Sequence, residues 1–149
     1  MTDKPKFMMQ SYIRCTQDAL WHALTDAETN AKTNFIPCVG TREGPKMSFA
    51  FEDGSLMLIC TDTKVTPKTR IECTFEPHWA GPDEDLAHSR LVYIIEPQAD
   101  HCVLTLEHYD LPQDQQEGVA DGWHRSIAGL KTYLETGKVV RFADPNMME

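Results

Sequence analysis

The first third of the chain has the hydrophobic pattern of a strand followed by helices. An apolar segment over 7–15 predicts a strand. Thr16 then offers an N-cap to residues 17–25 (QDALWHALT), whose leucines fall on one face, so a helix is predicted there. A second short helix is expected over about 27–33. The chain is therefore expected to open with a strand and two short helices.

In the middle of the chain, apolar residues occupy every second position, which is typical of strands with one buried face. The dipeptide Asp53-Gly54 interrupts this alternation and strongly favours a two-residue hairpin turn. Such a turn pairs Glu52 with Ser55 and Phe51 with Leu56. It puts these residues on one face: Met47, Phe49, Phe51, Leu56, Leu58 and Cys60. Further strands are predicted over 69–76, 90–96 and 101–108, with a polar loop before the second of them.

The clearest amphipathic helix lies near the end of the chain. Its apolar stripe repeats at steps of four, four, three and four residues: Val119, Trp123, Ile127, Leu130 and Leu134. Asp114 and Glu117 have the spacing of a capping box at its start, and Gly137 predicts its end. Gly122 and Gly129 each cost about 1 kcal/mol relative to alanine in a helix, so we expect close packing there.

The order of these elements, β–α–α–β–β–β–β–β and then a long helix, predicts an α+β fold. About six antiparallel strands would form one curved sheet, with the apolar stripe of the final helix on its concave face. A cavity between sheet and helix is an expected consequence of this shape. No boundary, repeat or low-complexity segment divides the chain, so we expect one domain over 1–149 with its core over about 7–138.

Composition and charge narrow the classes of function. The chain has 149 residues, 41% of them hydrophobic, which are ordinary values for a globular domain. A net charge of −9, without a dense basic segment, argues against a nucleic-acid partner and against anionic membranes. The first residues lack an apolar leader, and a cytoplasmic location is expected. The five cysteines are widely spaced and are expected to be buried free thiols, with a disulfide or a zinc site as the alternative.

His108 is the titratable residue of greatest chemical interest, because strand alternation places it on the apolar side of Leu106, towards the helix. It could orient the polar group of a ligand, act as an acid or base near neutral pH, or be a hydrogen-bonded core histidine. Tyr93 has a hydroxyl that needs a partner if it is buried. Aromatic residues at strand spacing can also be packing alone. The candidate pocket residues are His108, Tyr93, Trp123, Phe49, Phe51, Phe75, Trp79, Leu106 and Ile127.

Metal and cofactor motifs are missing from the sequence. The six histidines have no convincing H-x-x-x-H spacing on a helix, and Asp83-Glu84-Asp85 lacks the ligand spacing of a calcium loop. Neither a G-x-S-x-G motif nor a catalytic cysteine signature occurs. The sequence therefore predicts no metal, no cofactor and no catalytic residue beyond the candidate His108.

Several segments, in their order along the chain, carry a resemblance to a known family. They are FMMQSYIRCTQDALWHALTD, FAFEDGSL, VTPKTRIECTF, LTLEHYDL and GVADGWHRSIAGLKTYLETGK, and together they cover about residues 7–138. Their order and spacing resemble the START-like (SRPBCC, Bet v 1-like) superfamily. Within it the chain is similar to the family named for the activator of the heat-shock-protein-90 ATPase. The resemblance implies a helix-grip fold, a curved sheet around a long helix with a hydrophobic pocket.

Three classes of function remain open. The first is a binding or carrier domain for a small apolar or aromatic ligand, with His108 and Tyr93 as its polar contacts. The second is a chaperone- or stress-linked interaction protein, acting through an exposed surface. The third is an enzyme of the cyclase, hydratase or lyase type that uses His108. A monomer or weak homodimer is expected, with a protein partner as a further expectation.

Overall fold

Residues 3–147 form one curved antiparallel sheet and three α-helices in the computed structural model. The strands are β1 (Phe7–Ile13), β2 (Cys38–Glu43), β3 (Lys46–Phe51), β4 (Leu56–Thr66), β5 (Arg70–Pro77), β6 (Ser89–Pro97) and β7 (Cys102–Tyr109). The helices are α1 (Gln17–Thr25), α2 (Ala27–Thr33) and α3 (Gln113–Thr136), followed by a 3₁₀ turn, Pro145–Met147. The strand order is β1-β7-β6-β5-β4-β3-β2. The predicted α+β class, a curved sheet around a long C-terminal helix, is confirmed.

The two short helices begin at side chains that cap them. The Thr16 hydroxyl accepts a hydrogen bond from the Ala19 amide at 3.1 Å, which satisfies one of the free amides at the start of α1. A carboxylate oxygen of Asp26 accepts from the Thr29 amide at 3.0 Å and caps α2 in the same way. Both predicted helices are confirmed at their predicted positions.

The sheet contains one more strand than the six that the sequence predicts. Strand β2 pairs with β3 at one edge of the sheet, and most of its residues are exposed. Its sequence, CVGTRE, has no alternating apolar pattern because an edge strand of this kind has little apolar surface to bury. Pairing with β3, rather than hydrophobic periodicity, makes this segment a strand.

The hairpin between β3 and β4 differs from the predicted two-residue turn at its tip. The Phe51 amide donates to the Ser55 carbonyl at 2.8 Å, so three residues form the loop, with Gly54 at φ +92°. Leu56 consequently pairs with Ala50 rather than with Phe51. The predicted pairs of Phe49 with Leu58 and of Met47 with Cys60 are nevertheless present. Met57 is an extra residue in β4 and forms a bulge, which shifts the register by one position between the Ala50–Leu56 pair and the Phe49–Leu58 pair. The Met57 side chain is buried, at 2% exposed.

Helix α3 is the long amphipathic helix that the sequence predicts, but it does not start where the sequence predicts. The N-cap is Pro112, which makes no side-chain cap, and Asp114 lies inside the first turn, so there is no capping box. The predicted end is correct: Gly137 is left-handed at φ +77°, and its amide donates to the Tyr133 carbonyl at 2.8 Å. A Cβ on Gly129 would lie 2.8 Å from the Thr33 carbonyl oxygen, which is the close packing that the sequence predicts.

One hydrophobic core joins the concave face of the sheet to the three helices and runs from Ile13 to Leu130. Its largest fully buried side chains come from α1 and from the inner strands, including Leu20, Leu91 and Leu104. Within residues 3–147, no helix combines the length and the apolar character that crossing a bilayer requires.

Candidate functional site

His108 lies near the end of β7, opposite Leu91 of β6, and is fully buried. Its Nδ1 accepts a hydrogen bond from the indole Nε1–H of Trp123 at 3.0 Å. Its Nε2 lies 2.7 Å from the hydroxyl oxygen of Ser89. An indole N–H can only donate, so Nδ1 carries no proton. The neutral imidazole must therefore be protonated at Nε2, which donates to Ser89.

This environment keeps His108 uncharged. Burial lowers the pKa of His108 from 6.5 to about 4. A second proton would have to sit on Nδ1, where it would face the N–H of Trp123. With both ring nitrogens engaged and the pKa well below neutrality, His108 has the properties of a hydrogen-bonded core histidine.

Aromatic rings surround His108 on the α3 side of the sheet. The Phe75 ring lies 4.7 Å from the imidazole, centre to centre, in an edge-to-face arrangement. Trp79, in the polar loop after β5, is 39% exposed and packs its ring 5.9 Å from Phe75. Trp123 stands edge-on to Tyr93 at 6.2 Å. Trp123 therefore connects the buried histidine to the space beside Tyr93.

That space is a cavity of about 60 Å³ between the concave face of the sheet and the helices. A water molecule requires at least about 10–15 Å³ of such space, so the cavity has room for a few water molecules. The lining residues are Leu24, Asn30, Thr33, Asn34, Arg42, Met47, Phe49, Leu58, Cys60, Asp62, Ile71, Cys73, Tyr93, Trp123, Ser126, Ile127 and Leu130.

The sequence-predicted pocket residues divide into three groups in the structure. Four of them line the cavity: Tyr93, Trp123, Phe49 and Ile127. Three lie in the core outside the lining: His108, Phe75 and Leu106. The other two, Phe51 and Trp79, also lie outside the lining; Phe51 is half-buried at the end of β3 and Trp79 is in its loop.

Tyr93 is one of the polar residues of the cavity wall. Burial raises its pKa well above the ordinary value, and Cys73, Cys60 and Asp62 add to the effect. Tyr93 and these three residues all line the cavity. The Tyr93 hydroxyl makes no side-chain hydrogen bond within residues 3–147. The fully enclosed side-chain oxygen without a partner there is Gln115 Oε1, so the Tyr93 hydroxyl keeps accessible surface, through which a ligand or a water molecule can bond to it.

An ion pair at the cavity wall was not anticipated from the sequence. An Arg42 Nη1 lies 3.1 Å from an Asp62 carboxylate oxygen, and both side chains are largely shielded from solvent. The Arg42 Nε also donates to the Thr25 carbonyl at 2.9 Å, which holds the guanidinium between α1 and the sheet. Twenty residues separate the pair in sequence, and only the adjacency of β2, β3 and β4 brings them together. No motif in the sequence could have revealed it.

The cysteines are all free thiols; Cys73 and Cys102 are buried, and the other three are half-buried. Across the described residues, no three side chains of the His, Cys, Asp and Glu types come together as a metal site.

Comparisons with known proteins agree with this architecture. The family model of Activator of Hsp90 ATPase homolog 1-like protein matches residues 14–135. CalU16 from Micromonospora echinospora has a TM-score of 0.67 at 20% identity, with 95% of this chain and 78% of that chain covered. The Aha1 dimer from Colwellia psychrerythraea has a TM-score of 0.69 at 17% identity, with 93% and 99% covered.

A third similar structure is DynU16, a protein of the dynemicin biosynthetic locus, with a TM-score of 0.71 at 21% identity. The alignment covers 91% of this chain and spans about half (49%) of the DynU16 chain. At these identities the structures share a fold. The comparison with curated proteins finds no matching sequence. The family model covers most of the chain, and the chain therefore belongs to the family of Activator of Hsp90 ATPase homolog 1-like proteins.

Proposed function

We propose that this protein binds a small apolar or aromatic molecule between the sheet and α3. The observation that carries the proposal is the cavity itself, which is lined by aromatic and aliphatic side chains together with a smaller number of polar ones, Tyr93 among them. Ligand sites of this kind combine a mostly apolar lining with a few polar groups that orient the guest. Tyr93 and the Arg42–Asp62 pair would provide that orientation.

The size of the cavity constrains the ligand. Pockets for drug-sized molecules have about 300–1,000 Å³, and this cavity has about 60 Å³. A guest larger than a few atoms therefore needs the wall to move. The flexible Met47 side chain is suited to such movement, because an unbranched thioether repacks at little cost. We propose that the cavity enlarges when its ligand enters.

His108 is not expected to act on this ligand. It lies outside the cavity lining, both ring nitrogens are hydrogen-bonded, and its pKa is about 4. These features weigh against the enzyme alternative that uses His108 as an acid or base. Its role would be to hold Trp123, and so the cavity wall, in place.

An interaction role has one observation in its favour. Met8 and Tyr12 on the edge strand β1 are 56% and 61% exposed, and they point to the same outer face of the sheet. Exposed apolar residues at a sheet edge can serve a protein contact. A similar structure is described as a dimer, and a homodimer of this chain would be one such contact.

We also propose that the chain is one START-like domain, because one core joins Ile13 to Leu130.

A direct test compares two variants that enlarge a buried aliphatic residue. Ile127→Phe fills the cavity, whereas Leu104→Phe adds the same bulk in the core outside the lining. Each is expected to cost about 1–3 kcal/mol of stability from overpacking. Native mass spectrometry of purified protein, followed by denaturing extraction, would identify a retained guest.

We expect the wild-type protein and Leu104→Phe to retain the guest and Ile127→Phe to lose it. Retention by Ile127→Phe at the wild-type level would place the guest elsewhere and contradict the proposal. Binding of an apolar fluorescent probe, displaced by the extracted guest, gives the same comparison in solution.

A further inference from the structure

Three sulfur-containing side chains converge on the wall of the cavity. They are Met47 of β3, Cys60 of β4 and Cys73 of β5, on three adjacent strands. Met47 is 5% exposed and Cys73 is 3% exposed, and Cys60 is half-buried. The apolar ligand proposed above gives no reason for this grouping of sulfur atoms.

The register of the strands explains how the three side chains meet. Met47 pairs directly with Cys60 across β3 and β4. Cys73 pairs with Asp62, which lies two residues beyond Cys60 and therefore on the same face of β4. Cys60 and Cys73 are thus diagonal neighbours, close enough for side-chain contact.

Cys60 and Cys73 both line the cavity as neighbours on one face of the sheet. The neighbouring Cys60 thiol, together with burial, raises the pKa of the Cys73 thiol well above its ordinary value. The register therefore makes the two thiol side chains diagonal neighbours, with Met47 directly opposite Cys60. Such an arrangement offers two thiols and one thioether to a single small guest.

We propose that Met47, Cys60 and Cys73 form a binding site for the soft metal ion Cu(I), with two thiolates and one thioether as ligands. Thiolate and thioether sulfurs are the ligands that Cu(I) prefers. Zinc sites normally have four ligands from Cys, His, Asp and Glu, and no three of these types meet as a metal site within residues 3–147. An iron–sulfur cluster would normally require four cysteines.

Binding exchanges protons for the metal without any change of oxidation state. The S–H bonds of Cys60 and Cys73 break, two copper–sulfur bonds form, and two protons pass to the solvent. The resulting bis-thiolate complex carries one negative charge. Both members of the Arg42–Asp62 ion pair lie on the same cavity wall, so the guanidinium there already has a carboxylate partner. Because the thiols must lose protons, binding becomes tighter as the pH rises.

The site shares its cavity with the apolar ligand but does not depend on it. A metal ion fits the cavity of about 60 Å³ without movement of the wall. Copper binding and apolar-probe binding can therefore succeed or fail separately, and each is measured on the same preparations.

The experiment titrates the fully reduced protein with Cu(I), without oxygen, in competition with a chromogenic Cu(I) chelator. We expect the wild-type chain to withdraw one equivalent of Cu(I) from the chelator. Cys60→Ala and Cys73→Ala should each lose this binding, and Met47→Leu should weaken it. Trp123 lines the same cavity, so its fluorescence should change with copper in the wild-type protein and not in the cysteine variants.

A second thiol pair provides the matched control. Cys15 also contacts a buried thiol, Cys102, which contributes with burial to raising the pKa of Cys15 to about 12, but both residues lie outside the cavity. Cys15→Ala should therefore bind Cu(I) as the wild-type chain does. Loss of binding in Cys15→Ala, with retention in Cys60→Ala, would assign copper to the other pair and overturn the proposal.

Thermal melting of each variant checks that it is folded. Cys60→Ser, at a half-buried position, serves if Cys73→Ala fails to fold. Failure of the wild-type protein to compete with the chelator would overturn the copper site, whatever the apolar probe shows. Equal uptake by wild type and by Cys60→Ser would overturn it as well.

Discussion

At the scale of single residues, the clearest result is the tautomer and charge of His108. Its position on the buried face of β7 follows from strand alternation. Its chemical state follows from two partners that are distant in sequence, the indole of Trp123 and the hydroxyl of Ser89. A donor at Nδ1 and an acceptor at Nε2 hold the ring neutral and favour a positioning role over proton transfer.

The lowered pKa of His108 predicts a loss of stability in mild acid. The unfolded chain takes up a proton near pH 6.5 and the folded chain only near pH 4. The contribution of His108 to stability therefore falls as the pH drops through this interval, by about 2 kcal/mol between pH 7.5 and 5. Urea unfolding at the two pH values measures the change.

The same measurement on two histidine variants isolates the contribution of His108. His108→Gln should lose this pH-dependent component, whereas the exposed His124→Gln should keep it. An unchanged pH dependence in His108→Gln would show that another group is responsible.

At the scale of the elements, α3 shows that close packing can outweigh the low helix propensity of glycine. Its apolar stripe and its end at Gly137 are readable from the sequence, but its start at Pro112 is not. The two glycines Gly122 and Gly129 weaken the helix by themselves. They are compatible with it because neighbouring groups lie where their side chains would be, Phe35 at one and the Thr33 carbonyl at the other.

Two glycine-to-alanine substitutions in α3 should have opposite effects. At Gly118 nothing lies within 4 Å of a new Cβ, so Gly118→Ala should stabilise the protein by about 1 kcal/mol through helix propensity. At Gly129 the new Cβ would lie 2.8 Å from the Thr33 carbonyl oxygen, so Gly129→Ala should destabilise it despite the same gain. Chemical denaturation measures both; stabilisation by Gly129→Ala would contradict the close contact between α2 and α3.

At the scale of the whole molecule, the segment that follows α3 forms hydrogen bonds with both α2 and α3. The Arg141 Nη1 donates to the carbonyl oxygens of Ala31 and Asn34, at 3.1 and 2.6 Å, at the end of α2. Arg125 of α3 donates to the carbonyl of Ala143 at 3.0 Å. The segment thus lies across α2 and α3, beside the cavity-lining residues Thr33 and Asn34.

Removing Arg141 should loosen this side of the cavity. Arg141→Ala leaves free carbonyl groups at the end of α2 and is expected to cost about 1–3 kcal/mol. Amide hydrogen exchange around 31–36 should accelerate more than exchange in the inner strands. The exposed Lys138→Ala is the control and should change stability by less than about 0.5 kcal/mol. Equal effects of the two substitutions would mean that Arg141 does not hold α2.

The sequence was sufficient to predict those structural features that depend on residues close together in the chain. Period-two and helical repeats, the Thr16 cap and the end at Gly137 depend on neighbours a few residues away, so they are readable from the chain. In the structure Tyr93, Trp123 and Ile127 line one cavity. Edge strand β2 and the bulge at Met57 were missed, because strand pairing rather than periodicity determines them.

The sequence by itself determined the α+β class, the order of the helices and most of the strands, and which face of each is apolar. Only the tertiary structure decided that the Arg42–Asp62 pair and the residues Met47, Cys60 and Cys73 line one cavity. It also decided that His108 is neutral and fully hydrogen-bonded. The physical reason is that these features depend on pairing and packing between segments distant in sequence, whereas the pattern of a single segment reports only its own buried face.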